Sequence, residues 1–127
     1  SFDVIYDIDD SILKYETLNL ILQPILENAI HHGIDLKQDG RGEICISGKE
    51  DDKDIRFAVS DNGVGMTQEQ AELILTADSK GYGVRNVNER IKLYYGAEYA
   101  VCIDSEVGRG TTVTIHFPKE LHAEIKH

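Results

Sequence analysis

The sequence predicts a single α/β domain built as a two-layer sandwich (α+β), with a mixed, mostly antiparallel sheet of about five strands and three helices on one face. Three observations carry this. At 127 residues the chain, taken as one domain over 1–127, can bury one core and not two. Short runs alternate apolar and polar residues, as strands with one wet face do. Between them, longer runs repeat apolar residues every three or four positions, the signature of helices laid on a sheet.

Phe2 to Asp9 alternates, with Val4, Tyr6 and Ile8 on one side, and reads as a half-buried first strand. From Thr17 to His32 the set Leu18, Ile21, Leu22, Ile25, Leu26 and Ala29 marks an amphipathic helix. Pro24 lies inside it and is expected to kink the helix or restart it, and Gly33 is expected to cap it. Ile34 to Gly42 is a polar loop. Glu43 to Ser47 and Ile55 to Ser60 form a hairpin across a charged turn. Thr67 with Gln70 makes a capping box for a short helix, Gln68 to Thr76. Val84 to Tyr95 is the third helix, stopped by Gly96. Tyr99 to Asp104 and Thr111 to Phe117 close the sheet, and Pro118 ends the last ladder.

Composition narrows the function. A formal net charge of -10 argues against nucleic acid and anionic membrane as partners, since both need clustered Lys and Arg. An anionic ligand would have to be held by local amide dipoles and a divalent cation. No run approaches a membrane helix or a signal peptide, and the start at Ser1 rather than Met is that expected of a piece of a longer protein. Cys45 and Cys102 lack any metal spacing and read as buried free thiols of a reducing cytoplasm.

The chemistry concentrates in two stretches. Ile55, Phe57 and Val59 share the core side of their strand, and parity places Asp61 on that side too. A carboxylate aimed at a core is costly unless something donates to it. A turn aspartate in Asp61-Asn62-Gly63 is the plain alternative. Gly63 and Gly65, however, let a ligand approach the backbone, and Met66 offers an adaptable apolar wall. The exocyclic amine of adenine is a fitting donor to Asp61. On the first helix, the amide oxygen of Asn28 is a good neutral ligand for Mg²⁺, and Glu27 points about 100 degrees away from it. A solvated polar stripe is the plain alternative for this pair. Gly81-Tyr82-Gly83 opens the third helix, where unpaired amides favour a phosphate, and Lys80 stands beside it. Thr111, ahead of Val113 and Ile115 on one face, would stand at the rim of the core within reach of a base.

The ordered set Gln23-Pro24-Ile25-Leu26-Glu27-Asn28-Ala29-Ile30-His31-His32-Gly33, Asp61-Asn62-Gly63-Val64-Gly65-Met66, Gly81-Tyr82-Gly83-Val84-Arg85-Asn86-Val87-Asn88-Glu89-Arg90 and Gly108-Arg109-Gly110-Thr111 resembles the GHKL (Bergerat) ATP-binding fold. More narrowly it is similar to the catalytic domains of sensor histidine kinases of the LytS/YesM type, in which Gln-Pro precedes the Glu-Asn pair. The resemblance implies ATP and Mg²⁺ as cofactors. It implies Asn28 as metal ligand, Glu27 as an acid-base or water-orienting group, and Asp61 as the adenine reader with Gly65 and Thr111. The motifs also bring in Gly63, Met66 and Val84. Gly81 and Gly83 would meet the phosphates, flanked by Lys80 and Tyr82, and Thr67 to Lys80 would be the lid. His31 and His32 belong to the pocket helix, and His31 stands where many relatives carry lysine.

Such domains donate the γ-phosphate of ATP to a histidine on a separate dimerising helical domain, which passes it to a response regulator. The resemblance implies a homodimeric, membrane-anchored parent with this domain in the cytoplasm. None of His31, His32, His116, His122 or His127 suits the acceptor role, so the piece alone is expected to bind nucleotide without autophosphorylating. Two alternatives remain open here: a regulatory nucleotide-binding module without phosphotransfer, and a serine kinase of the anti-sigma type.

Overall fold

Alternating patterning produces five strands in the computed structural model, which describes residues 2–9, 17–34, 41–76 and 83–118. They are β1 (Phe2–Ile8), β2 (Gly42–Glu50), β3 (Asp54–Asp61), β4 (Cys102–Glu106) and β5 (Gly110–Pro118). They form one sheet in the order β1-β2-β3-β5-β4. β2, β3, β5 and β4 pair antiparallel, whereas β1 runs parallel to β2. A parallel pair needs a long crossover; here it contains α1 (Thr17–Asn28). The β2–β3 turn is closed by Asp51, whose Oδ1 accepts from the N–H groups of Lys53 (2.9 Å) and Asp54 (2.7 Å).

Pro24 neither ends nor restarts α1, which is continuous to Asn28 and then widens into a π-helical segment, Ala29–Ile34. Gly33 lies inside that segment and does not stop the chain. Packing outweighs the lost proline bond, because Ile25 and Ala29, the next residues of the apolar stripe after Pro24, are buried. The capping box of α2 (Gln68–Thr76) is reciprocal: Gln70 N–H donates to Thr67 Oγ1 (3.2 Å) and Thr67 N–H donates to Gln70 Oε1 (2.8 Å). α3 (Val84–Tyr95) ends at Gly96, whose N–H donates to Lys92 O. The strand expected from Tyr99 begins only at Cys102. Ala97–Tyr99 instead form a short 3₁₀ turn, with Tyr99 ring-to-ring with Tyr95 at 6.1 Å and with His116 at 4.8 Å.

One face of the sheet carries the core. Ile44, Ile46, Ile55, Phe57, Val59, Val113, Ile115 and Phe117 meet Ile25, Ala29, Val84, Val87 and Ile91 of the helices. Full burial of side chains this size contributes about 1.5–3 kcal/mol each. Tyr95 stacks on Phe117 at 5.6 Å, and burial pushes its hydroxyl up to about 12. The other face is mostly polar, with Ser47, Ser60, Thr112, Thr114 and His116 beside the charged Lys49, Arg56 and Asp104, and Ile5 exposed on the edge strand. Both cysteines are free, but neither is buried as expected: Cys45 is half-buried and Cys102 exposed, since register places both on this face, Cys45 opposite Ser60 and Cys102 opposite Thr114. On edge strand β1, Val4 and Ile8 join the core while Tyr6 is exposed. Among the described residues no helix is long and apolar enough to cross a membrane.

Candidate functional site

Register sets one row across the helix-facing side of the sheet: Val4 opposite Ile44, Ile44 opposite Asp61, Asp61 opposite Thr111, and Thr111 opposite Ser105. The row begins apolar and ends polar. The parity that buries Ile55, Phe57 and Val59 also buries Asp61, which is 9% exposed. Its Oδ1 accepts from Gly63 N–H at 2.9 Å. Burial pushes the Asp61 carboxyl above its ordinary 3.8, against the opposing pull of the Gly63 and Thr111 N–H groups. Among the described residues no Lys, Arg or His pairs with it. A carboxylate without a cationic partner keeps lone pairs that can accept from a donor brought in by a ligand.

The loop after Asp61 is held on both flanks. Asn62 Oδ1 accepts from Glu43 N–H (2.8 Å), and Asn62 Nδ2 donates to Arg41 O (3.0 Å), which ties the loop to the start of β2. Gly65 adopts φ 71°, and a Cβ there would lie 2.0 Å from Glu106 O. Only glycine permits both the conformation and the approach. Gly108 N–H donates to Val64 O (2.8 Å), and Met66 N–H donates to Ser105 Oγ (2.9 Å). Ser105 Oγ in turn lies 2.7 Å from Thr111 Oγ1 and donates to Gly110 O at 3.0 Å. Met66 and Thr111 are both buried.

The end of α1 supplies a second polar group. Asn28 is 2% exposed, and its Oδ1 is buried with no hydrogen-bond partner among the described residues. The π-helical segment that follows packs over β2, β3 and β5. Glu27, on the other side of the helix, is exposed. Gly83, at φ 84°, caps the start of α3, and a Cβ there would come within 3.2 Å of Pro24 Cβ. The first amides of α3 therefore abut α1 one turn before Asn28. Buried acceptors, a bare amide oxygen and a helix N-terminus are the groups that would meet, in turn, an amino-bearing ring, a hard cation and an anion.

Residues 14–121 match the family described as "Histidine kinase-, DNA gyrase B-, and HSP90-like ATPase" (HATPase_c). The chain belongs to this family. Among its relatives, YwpD of Bacillus subtilis (strain 168) is 34% identical, with 94% of this chain and 45% of that protein covered. Sensor histidine kinase YpdA of Escherichia coli (strain K12) is 34% identical (92% and 20% covered), and sensor histidine kinase YesM of Bacillus subtilis (strain 168) is 33% identical (88% and 19% covered). The chain thus spans less than half the length of the curated relatives it matches. The fold is shared with the Erythrobacter litoralis EL346 blue-light activated histidine kinase, at TM-score 0.72, 17% identity, and 98% of this chain and 37% of that chain covered. It is shared also with the catalytic domain of histidine kinase ThkA, at TM-score 0.71, 19% identity, and 93% and 78% covered.

In this GHKL domain the register and loop contacts bring Asp61, Gly63, Gly65, Met66 and Thr111 together, and Asn28 and Gly83 lie on neighbouring helix ends. Val84, at the start of α3, is fully buried. His31 is exposed. The His32 side chain and residues Lys80, Gly81 and Tyr82 lie outside the described residues, as do His122 and His127. Ser105 is a residue that sequence reasoning did not single out. It shows itself only through the register of β4 on β5.

Proposed function

We propose that this is the ATP-binding catalytic domain of a sensor histidine kinase, binding Mg-ATP and donating its γ-phosphate to a histidine on a separate helical domain of the parent. The observation that carries it is Asp61, a buried carboxylate without a cationic partner among the described residues, at the end of a strand beside a glycine-bearing loop. Asp61 would accept from the adenine amine, with Gly63 and Gly65 allowing close approach of the base, Met66 as the apolar wall and Thr111 as a second polar contact.

The bare, buried Oδ1 of Asn28 fits a hard divalent cation, for which a neutral amide oxygen is a good ligand. When bound, Mg²⁺ supplies charge neutralisation between the ATP oxygens. The first amides of α3, from Gly83 onward, would face the phosphates, aided by Lys80, Gly81, Tyr82 and the histidines of the pocket helix. Glu27 is exposed on α1 next to Asn28, so its carboxylate is available to orient the incoming imidazole or take its proton. In the transfer, the bond between the γ-phosphorus and the β–γ bridging oxygen breaks, a phosphorus–nitrogen bond forms, and ADP leaves.

In this reading residues 1–127 are one catalytic domain, and the acceptor histidine, the dimer contact and any membrane anchor belong to the rest of the parent. The parent's partner would be a response regulator, and the domain would work in the cytoplasm. The test is reconstitution: the chain mixed with its parent's helical domain and radiolabelled ATP is expected to give acid-labile, base-stable phosphohistidine, and the chain alone none. ATP binding without phosphohistidine in the mixture would leave a regulatory nucleotide-binding module.

A further inference from the structure

We propose that Ser105 is a positioning residue that commits the Thr111 hydroxyl to act as an acceptor only, and so sets the preference of the site for a 6-amino over a 6-oxo purine. This rests on the reading that a nucleotide base lies against Asp61.

Three groups surround Ser105 Oγ within hydrogen-bond range: Met66 N at 2.9 Å, Gly110 O at 3.0 Å and Thr111 Oγ1 at 2.7 Å. The Met66 N–H can only donate, and the Gly110 carbonyl can only accept. A hydroxyl carries one proton and two lone pairs. One arrangement satisfies all three contacts: Ser105 donates to Gly110 O, accepts from Met66 N–H, and accepts from the Thr111 hydroxyl. The proton of Thr111 is then turned toward Ser105, and only lone pairs remain on its other side. Thr111 is 4% exposed, so turning its proton away from Ser105 would forfeit a buried bond with no bulk water to replace it.

The consequence for a base follows from the row. Asp61 and Thr111 are cross-strand partners, so the polar end of the row presents two acceptors side by side. The adenine amine has two N–H groups and can serve both. A 6-oxo purine can still satisfy Asp61 through its N1–H. Its carbonyl oxygen, however, needs a donor, and Thr111 held by Ser105 has none to give. Ser105 therefore acts on base choice without touching the base.

Titration calorimetry with ADP and IDP on the wild-type chain, Ser105→Ala and Ser105→Thr tests this. The wild type is expected to favour ADP. Ser105→Ala releases the Thr111 proton, so the ratio of the IDP to the ADP dissociation constant should fall by about fivefold, the worth of one neutral hydrogen bond. Ser105→Thr retains the hydroxyl and should hold the ratio near wild type. If Ser105→Ala does not fold, Ser105→Cys keeps the volume with a much weaker hydrogen-bonding group and gives the same readout. Equal weakening of both nucleotides with an unchanged ratio would make Ser105 a structural tether only and overturn the proposal, as would a wild-type chain that binds ADP and IDP alike. A wild-type chain that binds neither nucleotide would overturn the site reading itself, and this inference with it.

Discussion

At the residue scale two buried polar groups stand out among the described residues: the Asp61 carboxylate, which has no cationic partner, and the Asn28 amide oxygen, which has no hydrogen-bond partner. For Asp61, desolvation raises the carboxyl pKa in the free protein, and a donating amine would favour the ionised form. Nucleotide binding should therefore release a proton. The sign follows: ADP affinity rises with pH through the raised Asp61 range and levels off above it. Calorimetry in buffers of different ionisation enthalpy, at a series of pH values above the ordinary carboxylate range, checks both the slope and the proton count. The same shift makes the carboxylate a cost to the empty fold. Its folded pKa is raised, so stability contributed by the protonated form is fully present below the unfolded value and is lost as pH rises through the folded one. For Asn28, the bare Oδ1 predicts that Asn28→Ala keeps much of the metal-free affinity for ADP and loses the strengthening that Mg²⁺ confers. Titrations with and without Mg²⁺ separate the two.

At the scale of elements, the base end of the site is a loop clamped between two strand pairs. Asn62 ties it to β2, while the Gly108 N–H and Ser105 tie it to the β4–β5 hairpin. Gly65 is the tightest point of that clamp, since a Cβ would press on the Glu106 carbonyl and the φ of 71° disfavours any side chain. Gly65→Ala should lower stability by about 1–3 kcal/mol and shift the loop, read as a fall in the urea midpoint and a loss of ADP affinity. Much of this scale is legible in the sequence. Strand parity alone puts Asp61 on the core side, Thr67 and Gln70 announce the start of α2, and Gly96 marks the end of α3. What is not legible depends on partners far along the chain. The role of Ser105 comes from the register of β4 on β5, the exposure of Cys102 from which face the helices cover, and the 3₁₀ turn at Tyr99 from its contacts with Tyr95 and His116. The unbroken passage of α1 through Pro24 reflects tertiary packing overriding a local signal.

For the whole molecule, the sandwich gathers the candidate site at one end of the sheet, on the face that the described helices cover. A domain with a net charge of -10 does not attract an anionic nucleotide through its overall field, so in the proposed function local groups would bind it: the acceptor row for the base, Asn28 with a cation, and the α3 amides for the phosphates. Family membership places this arrangement among histidine kinase-, gyrase- and HSP90-like ATPases, and the shared fold with histidine kinase catalytic domains agrees with it. In the proposed function Asp61 is the group that reads an adenine nucleotide. Titration of ADP with Mg²⁺ into wild type and Asp61→Asn, each with its melting temperature recorded, tests it most directly. The wild type is expected to bind, and Asp61→Asn, freed of a desolvated charge, to melt at least as high yet show no measurable binding. Binding of wild-type strength by the folded Asp61→Asn protein would contradict that role.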